Sequence, residues 1–86
     1  MVATIPDWLA RHGGSLRRGA DGNTWFVLLG NEPQYRLVPV PVAGKYGCQV
    51  TEIVNGKRLD SGTGASPAPE DALRAGLEEL RKSLGW

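Results

Sequence analysis

Eighty-six residues and 9.2 kDa make one small domain, residues 1–86, because a chain this short buries only roughly 60–65% of its unfolded surface; a two-domain enzyme is excluded. Hydrophobic residues at 41%, charged residues at 22% and a net charge of +1 describe an ordinary soluble globular chain, neither disordered nor fibrous. No apolar run reaches the ~18 residues of a membrane span, and one cysteine (Cys48) with one histidine (His12) can build neither an internal disulfide nor a Cys/His zinc site.

Met1-Val2-Ala3-Thr4 lacks the basic start and apolar core of a secretory signal, so a cytoplasmic chain is expected, with no membrane, metal or cofactor. Thr4 to Gly14 then predicts a short helix of about two turns, with Pro6 and Asp7 in the first turn and glycine after the last. Ile5, Trp8, Leu9 and His12 share one side, so this helix reads as a lid over something larger.

Leu16-Arg17-Arg18, the Ala20-Asp21-Gly22-Asn23 turn and Thr24 to Leu29 form a predicted hairpin. Trp25-Phe26-Val27-Leu28-Leu29 is apolar on both faces, which suits a central strand. After a turn over Gly30-Asn31-Glu32-Pro33, the extended pattern resumes from Gln34 to Val42. Pro39 and Pro41 lie two apart, so their missing N–H groups fall on one side of a strand. Either this is an edge strand with Val38, Val40 and Val42 facing the core, or the segment leaves the sheet as a connector.

Gly44-Lys45-Tyr46-Gly47 is read as the next turn. The alternation from Cys48 to Val54 puts Tyr46, Cys48, Val50 and Val54 on one face and Gln49, Thr51 and Ile53 on the other. Asn55-Gly56 is a hairpin signal with Lys57 to Asp60 as its returning arm, and Ser61 to Pro69 reads as a loop. From Pro67 or Pro69 a long helix begins, with Glu70 and Asp71 in its first turn, Arg81 and Lys82 in its last, and Gly85 closing it. Leu73, Leu77, Leu80 and Leu84 form its apolar stripe, while Glu70/Arg74 and Glu78/Lys82 are spaced as ion pairs on the solvent side.

The predicted fold class is α+β: an antiparallel sheet of three main strands, up to five with short arms, against a long C-terminal helix and a short N-terminal one. Its expected core is Trp8, Leu9, Val27, Val38, Val40, Val50, Leu73, Leu77 and Leu80.

Chemistry is sparse. Gly62-Thr63-Gly64-Ala65-Ser66 precedes a helix but lacks the third glycine of a dinucleotide fingerprint and the Gly-Lys-Ser/Thr of a P-loop, and Glu70 and Asp71 repel anions there. His12 has no spacing that ties it to Cys48 or Ser66 as a nucleophile, so no catalytic residue is assigned. Residues 1–65 hold seven Lys and Arg against five Asp and Glu, and residues 66–86 three against four, so the excess positive charge lies in the sheet half. Arg17, Arg18, Arg36, Lys45, Lys57 and Arg58 fall on predicted strands or their tips. Of these, Arg17, Arg18, Lys45, Lys57 and Arg58 are the candidate nucleic-acid contacts, with Trp25, Tyr35 or Tyr46 as stacking surfaces where they point outward.

The α-β-β-β-α order resembles the double-stranded RNA-binding-domain fold. That family grips phosphates with a glycine-rich loop and lysines at the start of its last helix. The matching stretch here, Gly62 to Asp71, carries acids in place of the lysines, so the resemblance implies the fold and carries over no site residue. Trp25 to Leu29, Asn55 to Leu59 and Glu70 to Leu73 with Leu84-Gly85 are also similar to short bacterial proteins of unknown function, which implies no activity. Glu70-Asp71-Ala72-Leu73 is similar to the helix opening of small antitoxins, without their preceding Thr. The functional expectation is a non-enzymatic module that binds a protein partner; the alternative is a nucleic-acid-binding domain.

Overall fold

Short turns with residues at positive φ lay out the sheet. Gly30 and Asn31 (φ 60° and 68°) and Ala43 and Gly44 (φ 49° and 81°) each occupy the two central positions of a hairpin turn whose twist matches that of the flanking strands. In the first hairpin the Asp21 carboxylate accepts the N–H groups of Asn23 and Thr24 and the Thr24 hydroxyl, which closes the turn locally. The computed structural model, which describes residues 5–60 and 64–86, therefore runs α1 (Asp7–Arg11), β1 (Gly14–Arg18), β2 (Trp25–Leu29), β3 (Glu32–Val42), β4 (Lys45–Glu52), β5 (Gly64–Ser66) and α2 (Pro69–Leu84). All five strands form one antiparallel sheet in the order β1-β2-β3-β4-β5.

Both helices lie on one face. Leu9 of α1 and Ala72, Leu73, Leu77 and Leu80 of α2 bury against Trp25, Val27, Leu37, Cys48 and Val50. Gly76 lets α2 come close to β4, since a Cβ there would stand 2.5 Å from Cys48 Sγ and 2.8 Å from Cys48 Cβ. α2 starts with Pro69 at its first position and ends at Gly85 (φ 75°), where the Trp86 N–H returns to the Arg81 carbonyl as a left-handed C-terminal cap requires. Trp86 then meets Trp8 at 6.0 Å between ring centroids, tying the end of α2 to α1.

The α+β class, an antiparallel sheet, the long C-terminal helix and the short N-terminal helix match expectation, and six of the nine expected core residues are buried; the sheet has five strands rather than three main ones, and the expected Lys57 to Asp60 arm makes only an isolated bridge, Thr51 to Arg58. Trp8 only flanks the core. Val38 and Val40 are on the other face: Leu37 and the buried Pro39 pair with Val50 and Cys48, while Val38 and Val40 pair with Gln49 and Gly47. Arg36 must stay in water, and strand alternation then carries Val38, Val40 and Val42 outward with it. The segment is not a connector. It pairs with β4 throughout, whereas β2 pairs only as far as Leu37, so the half of β3 that holds both prolines is an edge.

Several boundaries also move. α1 spans five residues rather than about two turns, and Ile5 is 40% exposed. β3 already includes Glu32 and Pro33. The turn before β4 is Ala43-Gly44, so Lys45 to Gly47 are strand, and β4 stops at Glu52 with Ile53 and Val54 exposed beyond it. Within the expected loop, residues 64–66 form β5 and pair with Tyr46 and Gly47; Ser61, Gly62 and Thr63 lie outside the described residues. On α2, Asp71 pairs with Arg74 and Glu78 with Arg81, three residues apart rather than four.

Candidate functional site: the open face of the sheet

Strand alternation sends one residue set toward the helices and the other away from them. The outward set is Ser15 and Arg17 on β1, Phe26 and Leu28 on β2, Arg36, Val38, Val40 and Val42 on β3, and Lys45, Gly47, Gln49 and Thr51 on β4. Both helices lie on the opposite face; within the outward set Leu28 and Gly47 are themselves buried. Arg17, Phe26, Arg36 and Thr51 are direct register partners across β1 to β4, and an isolated bridge adds Arg58 beside Thr51. The result is one continuous row of three arginines, an aromatic ring and a hydroxyl.

Charge is segregated on this face. The strand acids Glu32 and Glu52 sit opposite Leu29 and Tyr35, on the helix side, so the outward strand positions hold Arg17, Arg36 and Lys45 and no carboxylate. Arg17 and Arg36 are exposed and make no ion pair among the described residues. Phe26 and Arg36, with Gly19, Ala20, Asp21 and Thr24, border an open depression of about 310 Å³. Asp21 is the acid on its rim, and the hydrogen bond from the Thr24 hydroxyl, with the backbone N–H bonds, holds its carboxyl below the usual carboxylate range.

At the far end of the row, Arg58 Nε and Nη2 donate to the two oxygens of Asp60 at 2.6 and 2.7 Å. The Asp60 side chain is 1% exposed and also accepts the Val50 N–H. Here a carboxylate replaces a strand neighbour along the outer side of β4, between the Leu59–Val50 backbone bond and β5. The hydrogen bond from Arg58 outweighs burial, which acts the other way, and with the Val50 N–H it pulls the Asp60 carboxyl down to about 2. Val40, Val42, Gly47 and Gln49 border a hollow of about 100 Å³ that this ion pair closes.

The five sequence-derived contacts do not converge. Arg17 and Lys45 are on the open face and Arg58 at its edge. Arg18 points to the helix side, where its Nε donates to the Gly22 carbonyl and its guanidinium lies 5.5 Å over the Trp25 ring. Lys57 sits across from Glu52, whose N–H its carbonyl accepts. Trp25, Tyr35 and Tyr46 all pack with the helix-side core, so none offers an outward ring. Phe26 does, and it escaped the sequence reading along with the role of Arg36. Their shared signal is parity: both are one residue from strongly inward positions, Val27 and Leu37.

The Cys48 thiol is buried, and burial, aided by the charges of Asp60 and Glu79, pushes it up to about 12. The His12 ring stacks on Trp86 at 3.8 Å and 8°. Among the described residues no group of His, Cys, Asp or Glu could hold a metal ion, and no helix is long and apolar enough to cross a membrane. The chain matches no family model, no curated protein and no solved structure in comparisons with known proteins.

Proposed function

We propose that this protein is a non-enzymatic binding module whose recognition surface is the open face of the sheet. The observation that carries the reading is the composition of that face: half-buried Phe26, Val38, Val40 and Val42 beside Arg17, Arg36 and Lys45, on the side of the sheet opposite both helices. An apolar centre with a charged rim is the anatomy of an interface, and the strip Val38, Val40, Val42 supports a protein partner. The row Arg17–Phe26–Arg36 supports the second reading, a nucleic acid.

The likeness to the double-stranded RNA-binding-domain fold enters this proposal as element order alone. Glu70 and Asp71 occupy the first turn of α2, so recognition is placed on the sheet and not at that helix terminus. A cytoplasmic location belongs to the same proposal, since Cys48 is a buried unpaired thiol.

The test is affinity capture from cell extract with wild type, Arg36→Glu and Arg74→Glu, analysing eluates for protein and nucleic acid. Arg74 lies on α2, away from the open face, with its side chain 78% exposed. Material retained by wild type and by Arg74→Glu but lost with Arg36→Glu is expected. Identical capture by all three variants would place recognition elsewhere.

A further inference from the structure

We propose that the open face takes a single-stranded nucleic acid, its phosphates held by Arg17 and Arg36 and a base seated against Phe26; this rests on the reading that the open face is the recognition surface. The chain as a whole has ten Lys and Arg against nine Asp and Glu, so overall charge gives no cause to expect an anionic partner. The register supplies that cause. It collects Arg17, Arg36, Lys45 and the bridging Arg58 toward one side and turns Glu32 and Glu52 to the other. Of the carboxylates at its margin, Asp60 is 1% exposed and bonded to Arg58, and Asp21, on the rim of the depression, is bonded to the Thr24 hydroxyl and the N–H groups of Asn23 and Thr24.

Arg17 and Arg36 flank Phe26 on the strands to either side. Two strand spacings place their backbones about 10 Å apart, with the ring between. Cations on both sides of an aromatic ring are the arrangement that tracks a sugar-phosphate backbone while a base stacks, and stacking needs an unpaired base with an accessible π face. Gly19 lets the hairpin pass close to one edge of the ring, since a Cβ there would stand 3.2 Å from Phe26 Cε2. The depression bordered by Phe26 and Arg36 lies at the same place. An acidic peptide would draw on the same cations but would leave the ring between them unused.

Fluorescence anisotropy with labelled random-sequence single strands of DNA and of RNA, about 20 nucleotides long, tests this on the full chain. Wild type is expected to bind at low salt. Arg17→Gln combined with Arg36→Gln, both at exposed positions, should weaken binding at least about tenfold and flatten the slope of log K against log salt by about 1.4, or ~0.7 for each cation removed. Phe26→Leu, checked for a native circular-dichroism spectrum, should weaken binding about fivefold or more with the slope unchanged. Arg74→Gln should stay within about twofold of wild type, because that side chain lies outside the contact.

Absence of binding at low salt overturns the proposal, as does an equal loss in Arg74→Gln or tighter binding to duplexes made from the same pool. If the pools fail to bind while Arg36→Glu still loses material from extract, the nucleic-acid inference falls and the binding-module reading stands, with a protein partner. If neither effect is seen, both fall.

Discussion

Asp60 shows how one side chain can stand in for a missing strand. Its oxygens take the Val50 N–H and the Arg58 guanidinium within 3.0 Å, which satisfies the edge of β4 where the returning chain makes only an isolated bridge. A carboxyl held at about 2 in the folded state and near 4 when unfolded stabilises the fold above the unfolded value, and that contribution is lost as pH falls through the folded one. Arg58 is half in water, its side chain 52% exposed, so the effect is smaller than the full displacement. Asp60→Asn is expected to lower stability at pH 7 by about 1–2 kcal/mol, with the gap closing toward pH 2. Urea unfolding of both proteins between pH 2 and 7 measures this, and a gap constant across that range contradicts the assignment.

Among the elements, the β3–β4 hairpin carries the clearest local strain. Ala43 sits at φ 49°, in the left-handed region that costs an L-residue with a Cβ about 1–2 kcal/mol. Asparagine tolerates that region, and Asn-Gly is the favoured pair for such a turn. Ala43→Asn is therefore expected to stabilise the protein by about 0.5–1 kcal/mol. A higher urea midpoint at unchanged slope would bear this out; an unchanged or lower one would mean that the turn is not strained. The same hairpin shows why the prolines are tolerated. Beyond Leu37 the β2 side of β3 has no strand partner, and Asn23 Nδ2 donates to the Pro39 carbonyl there at 3.2 Å.

On the scale of the whole molecule, the two faces of the sheet are expected to behave as a stability face and a recognition face. Leu77 is 4% exposed against the core, and Leu77→Ala should cost about 2–5 kcal/mol through lost burial and the cavity left behind. Val40 is half-buried on the open face, where a threonine hydroxyl reaches water, so Val40→Thr should stay within about 1 kcal/mol of wild type. Thermal melts of the two variants check the contrast. Equal losses would show that the open face is packed against something and is not a surface.

Where a residue pattern is local, the sequence by itself determined the outcome. Pro69, Glu70, Asp71 and Gly85 mark the ends of α2, the leucines mark its buried side, and Asp21-Gly22 and Asn55-Gly56 mark turns, because capping and turn geometry depend on residues a few positions apart. The Trp25 to Leu29 strand was equally legible, since a run of five apolar residues between turn signals reads as a strand inside a sheet, here flanked by β1 and β3. Other features depended on neighbours distant in the chain. Val38, Val40 and Val42 are as apolar as Leu37 and Pro39, and a period of two gives two equivalent faces; only the pairing of Leu37 with Val50 under α2 decided which one is buried. That same choice of face separated Arg17 from Arg18 and joined Arg17 and Arg36 around Phe26. A one-residue parity, invisible to composition, thereby decided the candidate site.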